Sequence, residues 1–118
     1  HLAPLQVCLQ VNIDGAPSKS GLAPDEVLTV AKAVHLLPGL TLRGLMAIPE
    51  PAADVAAQRT PHRALHELLL SLQRVGLPVD TLSMGMSGDL EAAIAEGATL
   101  VRIGSAIFGG RDSAPALP

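Results

Sequence analysis

Four short apolar runs, without the strict polar alternation of a half-exposed strand, most strongly limit how this chain can fold. They are separated by segments in which apolar residues recur at helical spacing, so the predicted order is β-α-β-α-β-α-β. The predicted strands are Leu5–Ile13, Leu40–Ile48, Val79–Met86 and Leu100–Ile103. Strands that are apolar on both faces are typical of a parallel sheet covered by helices. The pattern therefore predicts an α/β fold built from parallel βα units with right-handed crossovers.

Signals of helix ends define the segments between these strands. Proline in a first turn, acidic residues beside it and glycine after a last turn all mark such ends. The predicted helices are Pro24–His35, a segment between Ala53 and Val75 that is strongest from Arg63 onward, and Leu90–Glu96.

Two architectures accommodate four βα units: half of an eight-stranded (TIM) barrel, or a small open sheet. An open sheet would bind a ligand where the strand order reverses. A barrel would bind a phosphate at the loops after its last two strands, beside a short extra helix. The short segment after Gly104-Ser105 favours the barrel. The 118 residues form at most one domain, with a frayed polar tail predicted from about Arg111 to Pro118.

Composition excludes several classes of function. The net charge is −3 and there is one Phe but no Trp or Tyr, so the chain lacks both a basic surface and a base-stacking platform for nucleic acid. Cys8 is the single cysteine and is predicted to be a buried structural thiol. We find no signal peptide and no apolar run of membrane-spanning length, so we expect a cytoplasmic location and no membrane partner.

The last third of the chain, Leu82 to Gly110, contains two strand–turn–helix units in succession. Ser87-Gly88-Asp89 follows the third predicted strand, and Gly104-Ser105 follows the fourth. Free backbone N–H groups at such turns bind anions, and two turns together indicate one phosphate. Each turn also has an ordinary structural explanation, since Ser87 can be a helix N-cap and Gly104-Ser105 a plain tight turn.

Other candidate residues lie outside these turns. Arg102 interrupts an apolar strand and needs an acceptor, which is either a ligand atom or a carboxylate on a neighbouring strand. Asn12 ends the first strand, where it would point into the same mouth or form a turn. His62 and His66 are four residues apart on one helix, but no third metal ligand is evident. We therefore predict a solvated helix face there and no metal.

Three runs resemble the pyridoxal phosphate homeostasis proteins (the YggS/PROSC family), which are small single-domain relatives of the alanine racemase barrel. The runs are LSMGMSGDLEAAIAEGATLVRIGSAIFGGR, LRGLMAI, and LQVNI with the following SKSG. The resemblance implies a (β/α)₈ barrel that holds pyridoxal 5′-phosphate (PLP) at the carboxyl ends of its strands. This chain would be the C-terminal half, strands five to eight. The implied function is non-catalytic PLP binding and homeostasis, with PLP-dependent apo-enzymes as possible recipients.

The resemblance also assigns PLP-contacting residues. Ser87 and the Gly104-Ser105 turn would hold the phosphate, and Arg102 would face the pyridine nitrogen. Met84 and Met86 would lie near the ring, with Asn12 at the mouth. Because a guanidinium keeps its proton near neutrality, the pyridine nitrogen would accept a hydrogen bond and stay largely neutral, which restrains carbanion chemistry.

One element of the family is missing from the sequence. Members hold PLP through a Schiff base to a lysine in a V-S-K-T-like motif, whereas Lys19 and Lys32 are the only lysines here and neither matches. The resemblance thus implies a fragment or a truncated product, whose open sheet edges would favour self-association. Two alternatives remain: part of a PLP-dependent amino-acid racemase, which the absence of tyrosine disfavours, and a structural fragment that binds no ligand.

Overall fold

The structure, a computed structural model, describes residues 3–15 and 20–101. Its strands and helices follow the predicted order. They are β1 (Leu5–Gln10), α1 (Val27–His35), β2 (Leu40–Met46), α2 (Val55–Arg74), β3 (Thr81–Ser83) and α3 (Leu90–Ala95). Short 3₁₀ turns, Pro24–Glu26 and Ser87–Asp89, lead into α1 and α3 respectively.

The three strands form one parallel sheet in the order β1-β2-β3, which confirms the predicted α/β class. A parallel bridge between Ser83 and Leu100 marks the start of the fourth predicted strand. Arg102 and Ile103 of that strand and the tail lie outside the described residues. The strands are shorter than the apolar runs because apolar character reports burial, not strand pairing. Met84, for example, is fully buried although β3 has already ended.

Helix α2 begins eight residues before the segment that carries the strongest helical pattern. The Asp54 side chain accepts a hydrogen bond from the Ala57 N–H at 2.8 Å and so caps the first turn. Pro61 lies within the helix. The Asp54 cap therefore stabilises the first part of α2, where Pro61 weakens the helical pattern of the sequence.

An aliphatic core fills the space between sheet and helices. The helices pack side by side, with α1 and α2 against β2 and α2 against both β3 and α3. Core residues include Val11, Val27, Ala31, Leu42, Leu45, Ala47, Leu65, Leu69, Leu72, Leu82 and Met84. The near absence of aromatic residues is thus met by branched aliphatic side chains. Within the described part of the chain, no helix is both long and apolar enough to cross a bilayer.

A polar cluster on the opposite face from Leu42 links β1 and β2 to Asp80, the residue just before β3. Arg43 donates to both carboxylate oxygens of Asp80 at 2.9 and 3.0 Å and to Gln6 Oε1 at 2.7 Å. Hydrogen bonds from Thr81 and Arg43 lower the pKa of Asp80. Cys8 is half-buried on β1, and burial raises the pKa of its thiol.

Glu96, just after α3, attaches this short helix to α2. Its carboxylate accepts hydrogen bonds from Arg59 Nε at 2.6 Å and from Arg63 Nη2 at 3.1 Å. The hydrogen bonds from Arg63 and Arg59 lower the pKa of Glu96 from 4.5 to about 2. A six-residue helix is marginal alone, so this double ion pair fixes where α3 lies.

We expect Glu96→Gln to lower the thermal midpoint at neutral pH, because the amide cannot reproduce the charged pairs with Arg59 and Arg63. A carboxyl whose folded pKa is depressed stabilises the protein fully above its unfolded value, here 4.5, and loses that contribution as pH falls through about 2. The midpoints of variant and parent should therefore converge between pH 4.5 and 2. Calorimetry across this range, with the exposed Glu91→Gln as control, measures the effect. A difference independent of pH would contradict the assignment.

Candidate functional site

The carboxyl ends of β1, β2 and β3 meet at one edge of the sheet, because parallel strands all run the same way. The chain is tightly hydrogen-bonded where it leaves the strands. Asn12 N–H donates to the Leu22 carbonyl at 2.8 Å, and Ala47 N–H donates to the Ser83 carbonyl at 3.2 Å. Backbone hydrogen bonds therefore continue beyond the strand ends at this edge, and in parallel α/β folds ligands bind at such an edge.

At this edge, the Met86–Asp89 turn is stabilised by both a side-chain and a backbone hydrogen bond. Asp89 Oδ1 accepts a hydrogen bond from the Met86 N–H at 2.7 Å, and the Asp89 N–H donates to the Met86 carbonyl at 3.1 Å. Ser87 is the first residue of the 3₁₀ turn, while Asp89 immediately precedes α3. Met86 is therefore the N-cap of this turn, the Asp89 side chain accepts a hydrogen bond from its N–H, and Ser87 lies inside the turn.

Two glycines shape the turn in opposite ways. Gly85 has φ of +98°, and a Cβ built there would lie 2.4 Å from the Ala93 Cβ. Glycine at this position thus allows α3 to pack directly against the chain leaving β3. At Gly88 an added Cβ would meet nothing within 4 Å. The side of Gly88 on which a Cβ would project therefore faces open space, which a ligand could approach.

Helix α2 supports the turn from the core side. His62 is fully buried, and its Nε2 lies 2.7 Å from Asp89 Oδ2. One turn earlier, Gln58 Nε2 donates to the Ala52 carbonyl at 3.0 Å and, at 3.4 Å, to the Gly88 carbonyl. The prediction that His62 lies on a solvated helix face is wrong. Its spacing from Leu65 and Leu69 places it on the buried stripe of α2, and that spacing is the sequence signal that could have revealed it.

His66 is only partly buried and lies beside Gly97, where a Cβ would approach its Nδ1 to 2.9 Å. In residues 3–15 and 20–101 no group of His, Cys, Asp and Glu is arranged to hold a metal ion.

The predicted PLP-contacting residues divide into three groups. Asn12, Ser87 and Met86 all follow strands at the carboxyl edge, where Met86 is 47% exposed and Asn12 is partly buried. Met84 is fully buried in the core beneath the turn, so its side chain packs against aliphatic neighbours. Arg102, Gly104 and Ser105 lie outside the described residues.

Comparison with known proteins gives this geometry a context. The family model described as "Alanine racemase, N-terminal domain" matches residues 1–112. The pyridoxal phosphate homeostasis protein of Pseudomonas aeruginosa is 63% identical over 116 residues, which are 98% of this chain and 49% of that protein. Its counterpart in Vibrio cholerae is 53% identical over 112 residues, 95% of this chain and 48% of that protein. The chain spans about half the length of these curated relatives.

Solved structures of two proteins are similar in fold to this chain. A protein of unknown function from Bifidobacterium adolescentis has a TM-score of 0.83 at 38% identity, over 90% of this chain and 44% of that one. PipY of Synechococcus elongatus, solved with PLP bound, has a TM-score of 0.78 at 30% identity, over 91% of this chain and 50% of that one. The predicted resemblance is confirmed: the chain belongs to the alanine racemase N-terminal domain family, and the two curated relatives above, at 63% and 53% identity, are named pyridoxal phosphate homeostasis proteins.

Proposed function

We propose that this chain is the phosphate-binding part of a PLP-binding protein. That protein would maintain PLP homeostasis in the cytoplasm without catalysing a reaction. The observation that carries the proposal is the Met86–Asp89 turn, hydrogen-bonded at the carboxyl edge of a parallel sheet. A structural relative with PLP bound and close relatives named for PLP homeostasis support PLP as the ligand. Those relatives are named as homeostasis proteins and not as enzymes, which favours a non-catalytic carrier or regulator.

In this proposal the sheet is a segment of an alanine-racemase-type TIM barrel, and its strands are the fifth onward. The parallel order β1-β2-β3, with helices packed side by side, suits a barrel segment. A segment of this kind has strand edges that another part of a barrel or a second chain can pair with. PLP-dependent apo-enzymes are the proposed recipients of the cofactor.

The chemistry of the turn suits a phosphate ester. Phosphate oxygens accept hydrogen bonds from backbone N–H groups, and the open space beside Gly88 lets an anion approach the backbone closely. Both oxygens of the Asp89 carboxylate already have partners within the protein, Met86 N–H and His62. The one negative charge of the turn is thus engaged by protein groups, which limits its repulsion of an incoming anion.

The remaining residues receive proposed positions from this assignment. Ser87 and the Gly104-Ser105 turn hold the phosphate, and Arg102 donates to the pyridine nitrogen. Met86 lies at the pocket wall, while Met84 supports the turn from the core and Asn12 borders the mouth. PLP, when bound, can stabilise carbanions next to an amine nitrogen, and a guanidinium at the ring nitrogen weakens that capacity because it keeps its own proton. The covalent lysine of the family has no counterpart in this chain.

The test is PLP titration of the full-length gene product, followed by absorbance. We expect Arg102→Leu to weaken PLP binding by about 10- to 100-fold, the scale of a lost charge-assisted hydrogen bond. His66→Leu, at the partly buried position beside Gly97, is the matched control and should bind PLP like the parent. Equal losses in the two variants would refute the site assignment. A parent protein that fails to bind PLP would refute the proposed function.

A further inference from the structure

We infer that His62 is a positioning residue. From the core side of α2 it orients the Asp89 carboxylate, and through Asp89 it keeps the Met86–Asp89 turn in the conformation that binds an anion. The inference rests on the proposed function for the ligand, but the contacts that carry it are independent of any ligand. His62 lies 27 positions before Asp89 in the chain, and the sequence pattern that contains it, its spacing from His66, does not point to Asp89.

The hydrogen bonding of the imidazole has one clear direction. A carboxylate oxygen can only accept, so at 2.7 Å His62 Nε2 carries a hydrogen and donates a hydrogen bond to Asp89 Oδ2. His62 Nδ1 is buried and has no hydrogen-bond partner within the described part of the chain. Within the described part of the chain, the hydrogen bond of this ring is therefore the one that Nε2 makes with Asp89.

A buried imidazole is costly in an aliphatic core unless its hydrogen bonds are made. His62 is fully enclosed and shares the buried stripe of α2 with Leu65, Leu69 and Leu72. An apolar side chain of similar size would fill this space without leaving Nδ1 unpaired. Packing alone thus gives no reason for histidine at this position, whereas donation to Asp89 does.

Asp89 transmits the effect to the turn because its two oxygens have separate partners. Oδ2 is held by His62, while Oδ1 accepts the Met86 N–H at 2.7 Å. Without the imidazole donor, the carboxylate is free to rotate, which weakens its bond to Met86. It can also swing toward the N–H groups of the turn, where its negative charge competes with a phosphate. Both consequences lower affinity for an anion.

Gln58 provides a second, weaker tie from the same face of α2. Its Nε2 lies 3.4 Å from the Gly88 carbonyl, and it is spaced four residues from His62. The two side chains are therefore adjacent on the helix and reach successive residues of the turn. This arrangement makes α2 the support of the turn, with His62 as the charge-assisted contact.

The experiment compares three variants of the full-length gene product. His62→Phe keeps a planar ring but removes the donor, His62→Gln retains an N–H donor, and Leu65→Met is a nearly volume-conserving change at a neighbouring buried position. Amide hydrogen exchange at Met86 reports the turn without a ligand, with Leu45 in β2 as the core reference. Titrations with PLP and with inorganic phosphate report binding.

We expect His62→Phe to speed exchange at Met86 by about tenfold relative to Leu45. We also expect it to weaken PLP and phosphate binding by about tenfold, the scale found when a residue that orients a ligand-binding group is removed. His62→Gln should recover most of both effects, and Leu65→Met should show neither. If the phenylalanine variant does not fold, His62→Leu supplies the same comparison.

Two failures are distinguishable. If His62→Phe leaves Met86 exchange and PLP affinity at parental values, the inference is wrong and the proposed function stands. If the parent binds neither PLP nor phosphate, the proposed function is wrong, while the exchange at Met86 still decides whether His62 holds the turn. Equal effects of His62→Phe and His62→Gln would also overturn the inference, because they would assign the change to packing.

Discussion

Gly44→Ala should lower the free energy of unfolding by about 3 kcal/mol, the upper range for added atoms that a packed interior cannot accommodate. Gly44 pairs with Thr81 in the parallel ladder between β2 and β3. A Cβ at this position would lie 1.8 Å from the Thr81 carbonyl oxygen and 2.7 Å from its carbonyl carbon. The obstacle is backbone of the adjacent strand, so no side-chain rotation relieves it and the ladder itself must open.

Urea denaturation of the full-length gene product measures this loss, with Gly88→Ala as the control. Gly88 has open space where a Cβ would go, and its φ is outside the left-handed range, so we expect a change within about 0.5 kcal/mol. Similar midpoints for Gly44→Ala and the parent would show that β2 and β3 are not paired in the register described here.

Gly85→Ala should impair both stability and PLP binding, with the larger effect on binding. The positive φ of +98° is strained for alanine, at about 2 kcal/mol, and the new methyl group would press on Ala93 of α3. Since Gly85 leads directly into the Met86–Asp89 turn, relief of this contact displaces the turn relative to α3. We expect PLP affinity to fall by about 100-fold, as for a misplacement of about 1 Å at a binding site.

Gly76→Ala separates backbone strain from the contact. Gly76 has φ of +91°, close to that of Gly85, but an added Cβ there would meet nothing within 4 Å, and the residue lies at the end of α2 away from the turn. It should lose stability while binding PLP normally. In a double-mutant cycle, Ala93→Gly should restore part of the binding lost in Gly85→Ala. If Gly85→Ala bound PLP with the parental affinity, the Met86–Asp89 turn would not be part of the PLP site.

Much of the fold could be predicted because the relevant signals are local. Apolar runs without alternation indicated a parallel sheet, and the predicted order of elements agrees with that of the structure from β1 to α3. Strand ends were overestimated, as at Met84, because a buried residue just beyond the ladder looks the same in sequence as one within it. Pro61 disfavours a helix in the sequence pattern, so the sequence indicates the early start of α2 only weakly. In the structure the Asp54 cap offsets the destabilising effect of Pro61.

The candidate site was only partly predictable. The Ser87-Gly88-Asp89 segment stood out by its position after a strand, but its partners could not be read from it. Asp89 looked like one of several turn residues, whereas the structure shows it bonded to both Met86 and His62. His62 is compatible in sequence with either face of α2, because its spacing from His66 indicates a polar pair whereas its spacing from Leu65 indicates the buried stripe.

By itself, the sequence determined the parallel βα order, the aliphatic core and the resemblance to the PLP homeostasis proteins, since all three depend on residue type and short-range spacing. Only the tertiary structure decided that α2 supports the turn, across 27 residues, and that Arg59 and Arg63 hold Glu96, across 37 and 33 residues. Such contacts depend on how helices pack against the sheet. Hydrophobic periodicity specifies which face of a helix is buried, but the packing of that face selects the polar group that each buried side chain meets.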